Sequence, residues 1–193
     1  MALQHHPSMT VEEYLQLDKQ STEAKYEYID GHVYMLAGGT PDHAKISANI
    51  IVALGGLLAR SPCSVYTSDV RVRLSETRFV YPDITVSCDG RDQTQEETIQ
   101  YPKVVVEVLS PSTERYDRGN KFKYYQQCLS IQEYMLVDTQ RQCIEVFKRE
   151  KNNFWLYRAF GAEDTLELAS LDIEFPVASV YRNVILPPED DDR

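Results

Sequence analysis

The sequence predicts a mixed α/β domain, a β-sheet with helices packed on its faces. Three observations carry that expectation. Two long stretches place apolar residues at helical spacing behind a capping residue. The run "PKVVVEVLS" is almost wholly apolar and β-branched, as a central strand covered on both faces must be. Strand and helix signals also follow one another as helix, hairpin, helix, three strands, strand, helix, strand, hairpin.

The elements can be justified in order. Thr10 caps a short helix running to Asp18, with Glu13 as its capping-box partner. In "KYEYIDGHVYMLAGG", Asp30-Gly31 separates two β-rich runs and signals a hairpin, with Glu27 on its first strand. "TPDHAKISANIIVALGGLLAR" is the first long helix: Thr40 caps it, Pro41 suits the first helical position, and Asp42 favours the positive end of the dipole. Ser47, Ile50, Leu54 and Leu57 mark its buried face. Gly55-Gly56 would permit the close approach of a neighbouring element.

Three strands are expected next, "CSVYT", "DVRVRL" and "FVYPDITVS". In the second, Arg71 and Arg73 alternate with Val70, Val72 and Leu74, as in a half-buried strand. "GRDQTQEET" is polar throughout and reads as a surface loop. After "PKVVVEVLS", Ser112 or Thr113 caps a second long helix, "STERYDRGNKFKYYQQCL". "EYMLVD" is a buried strand, and "CIEVFKRE" and "FWLYRAF" form a second hairpin around "KNN".

Composition narrows the function. A chain of 193 residues, 42% hydrophobic, can build one core. One domain is expected over residues 1–186, followed by a disordered acidic tail, 187–193. No apolar run approaches the roughly 20 residues of a membrane helix. No basic segment followed by an apolar one opens the chain, so a cytoplasmic protein is expected. Cys63, Cys88, Cys128 and Cys143 form no Cys-x-x-Cys pair, which predicts free buried thiols and no zinc centre. The formal charge of −10 argues against indiscriminate nucleic-acid binding. It leaves room for a nuclease, because a divalent cation offsets local negative charge. Residues 189–193 account for three of those charges, and the segment 114–123 is locally positive.

Two carboxylates stand out against their surroundings. Asp83 lies in "YPDI", on the last of the three strands, and Glu107 lies inside "VVVEVLS". A charge in an apolar strand costs several kcal/mol unless it is paired or binds a metal. Carboxylates on adjacent strands, a backbone carbonyl and waters are the ligands Mg²⁺ prefers; a salt bridge is the competing explanation for Glu107. On a helical wheel Lys121 borders the apolar face formed by Phe122, Tyr125 and Leu129, whereas Lys123 points away. Lys121 can therefore reach back toward the sheet, or pair with Asp117 four residues earlier.

These residues together resemble the Uma-type restriction endonuclease family of the PD-(D/E)xK nuclease superfamily. The resemblance covers roughly residues 10–180. It rests on "YEYIDGHVY", the His43 helix start, "TSDVRVRL", "YPDI", "VVVEVLSPST", "YDRGNKFKYY" and "EYMLVD", in that order. It implies a restriction-endonuclease-like α/β fold that hydrolyses phosphodiester bonds with Mg²⁺ or Mn²⁺, DNA as substrate, and a homodimer. It makes Asp83, Glu107 and the Val108 carbonyl metal ligands and Lys121 the catalytic lysine. Glu27 would orient a water or reach a second metal, and His43, Arg115 and Arg118 would contact phosphate. The superfamily lysine stands two residues after the glutamate, where this chain has Leu109; Lys121 on the following helix is the natural substitute. The rival reading is a nuclease-fold binding or partner module with weak or lost catalysis.

Overall fold

The computed structural model describes residues 8–94 and 97–188. Most of the expected acidic tail, residues 189–193, lies outside the described residues. Helix α1 (Val11–Gln20) begins with both halves of the expected capping box: Glu13 N donates to Thr10 Oγ1 at 3.2 Å, and Thr10 N donates to Glu13 Oε2 at 2.8 Å. Strands β1 (Tyr26–Ile29) and β2 (His32–Met35) pair antiparallel. Asp30 and Gly31 turn between them with φ of 48° and 93°, the left-handed conformation a two-residue hairpin loop requires.

Helix α2 (Pro41–Leu58) starts as its sequence predicts, with His43 N donating to Thr40 Oγ1 at 3.2 Å. Its buried stripe is Ile46, Ile50, Leu54 and Leu58. Leu57, expected on that stripe, lies about 100° round the helix from Leu58 and is exposed. Nothing approaches Gly55 or Gly56 within contact distance of an added methyl group, so the expected close approach does not occur.

Strands β3 (Ser64–Thr67), β4 (Arg71–Ser75), β5 (Arg78–Val80), β6 (Ile84–Ser87), β7 (Thr98–Ile99) and β8 (Val104–Val108) follow. "FVYPDITVS" is two strands, β5 and β6, in different sheets. Pro82 explains the break, because it has no N–H to give to a ladder. Asp83 therefore sits where the chain crosses between sheets, and not within a strand.

The second long helix is interrupted. An α-turn, α3 (Glu114–Tyr116), a π-turn (Asp117–Lys121) and α4 (Phe122–Gln127) run on continuously. Leu129, expected on its buried face, lies beyond α4 and is 71% exposed. Strands β9 (Glu133–Val137), β10 (Ile144–Arg149) and β11 (Trp155–Phe160) complete a six-stranded sheet, order β11-β10-β9-β8-β6-β3, with β8 and β9 parallel at its centre. A five-stranded sheet has the order β2-β1-β5-β4-β7. A third hairpin, β12 (Thr165–Leu168) and β13 (Ile173–Pro176), leads to α5 (Val177–Val180).

Alternation along β8 divides the core. Val104, Val106 and Val108 pack with the buried stripe of α2. Val105 and Leu109 pack on the other side with Val72, Tyr125 and Tyr134. Glu107 shares this second side, between the six-stranded sheet and the interrupted helix. No helix among the described residues is long and apolar enough to cross a membrane.

The expectation of free thiols fails at one pair. Cys63 and Cys88 form a disulfide, while Cys128 and Cys143 are free. Cys63 directly precedes β3 and Cys88 directly follows β6, and Ser64 faces Ser87 across that antiparallel pair. The two thiols are thus neighbours in space, although 25 residues apart.

Candidate active site

The elements described above converge beside the end of β8. β6 and β8 pair through Ile84–Val106, Thr85–Val105 and Val86–Val104, so Asp83, one step beyond, stands beside Glu107. Val108 N donates to Asp83 Oδ2 at 2.7 Å, which ties the crossing segment to β8. His43, in the first turn of α2, places Nε2 3.2 Å from the same oxygen. That contact raises the His43 pKa against the effect of burial, and a hydrogen bond to the Val108 backbone adds to it.

Lys121 leaves the π-turn and points inward. Its Nζ lies 2.8 Å from Glu107 Oε1, 3.1 Å from Glu27 Oε1 and 3.9 Å from Asp117 Oδ1. No ion pair within 4.0 Å joins it to Asp83 among the described residues. Glu27 comes from β1 of the other sheet, and its Oε1 also accepts Tyr81 N at 3.1 Å. Lys123 is exposed. Burial disfavours the Lys121 charge, but Glu107, Glu27 and Asp117 overcome it and hold the pKa well above the ordinary lysine value. Lys121 is therefore an ammonium donor at neutral pH and not a base. Burial pushes the Glu107 carboxyl well upward, against Lys121 and with help from Asp117 and Asp83. Asp117 is likewise raised, chiefly by burial.

Four carboxylates, Glu27, Asp83, Glu107 and Asp117, thus face one lysine and one histidine. With every group in its charged form, including His43, the formal excess is two negative charges, the charge of one divalent cation; burial, which raises Glu107 and Asp117, opposes that excess while the site is without a cation. Two carboxylate oxygens, Asp83 Oδ1 and Glu107 Oε2, accept no hydrogen bond among the described residues. Thr85 lies on the Glu107 side of the sheet, and its buried Oγ1 has no hydrogen-bond partner among the described residues. Surplus charge and free hard oxygens fit a cation such as Mg²⁺, which takes one or two carboxylates and keeps several waters. Among the described residues, no group of three or more His, Cys, Asp and Glu is arranged to hold a metal ion.

The arginines divide. Arg118 is engaged by Glu114 at 2.7 Å and by Glu145, so a phosphate would have to compete with those carboxylates for it. Arg115 is exposed. Arg71, expected on the unburied face of a half-buried strand, is itself buried and donates to Asp18 at 2.5 Å. The sequence marks Asp117 only as a partner of Lys121 four residues on, and Tyr125 only as part of an apolar helix face. Tyr125 in fact donates its hydroxyl to Glu107 Oε1 at 2.5 Å. Their four-residue spacing from Lys121 was the available signal.

The class is given by the fold. The structure is similar to the crystal structure of "a putative nuclease belonging to DUF820" from Anabaena variabilis ATCC 29413, with a TM-score of 0.74 over 92% of this chain and 99% of that one. Identity is 17%, so this likeness shows the fold, a restriction-endonuclease-like mixed α/β architecture. Residues 11–178 match the family described as "Uma2: Putative restriction endonuclease", and the chain belongs to that family. Two curated proteins of Synechocystis sp. (strain ATCC 27184 / PCC 6803 / Kazusa) are also similar, both described as uncharacterised. The protein slr1290 is 37% identical over 92% of this chain and 94% of its own length. The protein sll1609 is 29% identical over 81% and 89%.

Proposed function

We propose that this protein is a divalent-cation-dependent endonuclease that cleaves DNA phosphodiester bonds and works as a homodimer. The observation that carries the reading is Lys121 buried against Glu107 and Glu27, beside Asp83, in a site with surplus negative charge. Asp83 and Glu107 would hold Mg²⁺ or Mn²⁺, with the Val108 carbonyl nearby as a backbone donor. When bound, the cation polarises the scissile phosphate and acidifies a water. Lys121, whose ammonium form its carboxylate neighbours favour, stabilises negative charge building on the phosphate oxygens. Glu27, held by Tyr81 N and Lys121, would orient the attacking water. His43 holds Asp83 in position, and Arg115 is available to the DNA backbone.

The formal charge of −10 favours a second reading, a binding module of the same fold, because an acidic surface repels phosphate. A plasmid-nicking assay separates the two. Cleavage is expected with Mg²⁺ or Mn²⁺, is abolished by EDTA, and weakens as salt screens the phosphate contacts. No cleavage of DNA or RNA with either ion, at any salt concentration, would leave the binding module as the better account.

A further inference from the structure

Glu107 divides its two oxygens between different tasks. Oε1 accepts the Tyr125 hydroxyl at 2.5 Å and lies 2.8 Å from Lys121 Nζ. Oε2 accepts no hydrogen bond among the described residues. Tyr125 is fully buried, its ring centroid 4.9 Å from that of Tyr134, so its hydroxyl has little freedom to go elsewhere. We propose that Tyr125 is a positioning residue: with Lys121 it pins Oε1 of Glu107, and so commits Oε2 to the divalent cation.

The physical argument is one of preorganisation. A glutamate has three rotatable side-chain bonds, and its carboxylate can present either oxygen or both. Two donors on one oxygen fix the rotamer before the cation arrives, so less ordering remains when it binds. A hydroxyl donor also spreads negative charge away from a buried carboxylate without adding positive charge that would repel the cation. Partners of this kind orient ligands at metal sites, and their loss typically weakens metal affinity by about 10–100-fold. The spacing supports the assignment. Asp117, Lys121 and Tyr125 succeed one another at four-residue intervals through the π-turn and into α4. A regular α-helix would leave Tyr125 about 80° round from Asp117. The wider π-turn winds less per residue and brings all three to one side.

A buried tyrosine hydroxyl needs a partner in any case, so a purely structural bond is the competing explanation. This proposal rests on the cation reading above, and its test keeps the two apart. Mn²⁺ binding is measured by titration calorimetry on the wild type, Tyr125→Phe and Tyr134→Phe, each first checked for native circular dichroism. Tyr134→Phe is the packing control, because the Tyr134 hydroxyl donates to the Asp117 carbonyl at 3.2 Å and not to Glu107. Tyr125→Phe should bind Mn²⁺ at least about 10-fold more weakly, with cleavage recovered at excess Mn²⁺, and Tyr134→Phe should match the wild type. Equal affinity in Tyr125→Phe and wild type overturns the proposal and leaves the cation reading standing. Equal weakening in both variants also overturns it, and a wild type that binds no Mn²⁺ removes both. Should Tyr125→Phe fail to fold, the hydroxyl-proton resonance of Tyr125 in the wild type gives the answer. It should lie downfield and move when Mg²⁺ is added; a resonance indifferent to saturating Mg²⁺ overturns the proposal.

Discussion

Lys121 has carboxylates on three sides, from Glu107, Glu27 and Asp117, and it is 5% exposed. Removing its charge would leave those carboxylates buried without compensation. Breaking one member of such a buried set costs about 3–5 kcal/mol. Lys121→Met should therefore lose stability on that scale in chemical denaturation. Its folded fraction should also cleave DNA at least about 10²-fold more slowly, the scale expected for one preorganised charge-stabilising group. Loss of stability with unchanged cleavage would make Lys121 a structural counter-ion only. At this scale much of the site was legible. Glu107 is conspicuous because a carboxylate inside an apolar strand needs a reason, Asp83 was read the same way although it stands just outside β6, and the wheel position of Lys121 gave its direction. Asp117 and Tyr125 were not legible as site residues. An aspartate four residues before a lysine looks like a surface pair, and a tyrosine among aromatics looks like core.

The π-turn is the element that converts spacing into geometry. Single-turn π insertions inside helices frequently mark functional sites. Here the π-turn lets Asp117, Lys121 and Tyr125 face the carboxylates together. Asn120 is exposed, so its deletion should relax the π-turn toward regular α-helix without opening the core. The expected result is native helix content by circular dichroism and cleavage reduced by about 10²-fold or more, as when one preorganised group is misplaced. Full cleavage in the deletion variant would show that the π-turn does not set the site. The interruption was not read from the sequence: Gly119 and Asn120 are poor helix formers, but a weak stretch does not by itself specify a π-turn. The break at Pro82 was visible in principle. The apolar run from Phe79 to Ser87 outweighed it, although a proline inside a central strand should have ended that strand. The caps at Thr10 and Thr40 were readable, because they satisfy backbone donors locally and owe nothing to tertiary packing; Thr113 stands at the start of α3 but makes no side-chain capping bond, so the expected cap of the second long helix is not formed.

For the whole molecule, the sequence carried the class but not the assembly. A mixed α/β architecture follows from the pattern of strands and helices. The division into two main sheets does not, because it depends on where β5 leaves one sheet and β6 joins the other. The hairpin of β12 and β13 escaped for a different reason: its turn, residues 169–172, carries no Asn-Gly or Asp-Gly signal of the kind that marked Asp30-Gly31. The Cys63–Cys88 disulfide follows from the pairing of β3 with β6, which no spacing rule announces. What the two sheets achieve together is to bring Glu27 from one of them against Glu107 from the other, with Lys121 between. A cation completing that charge balance beside Asp83 and Glu107 is the central claim. The most direct measurement is anomalous scattering from crystals of the wild type and of Glu107→Gln soaked in Mn²⁺. A manganese peak against the Asp83 and Glu107 carboxylates in the wild type, absent from Glu107→Gln, is the predicted result. No peak at those carboxylates in the wild type, or an equal peak there in Glu107→Gln, would contradict it.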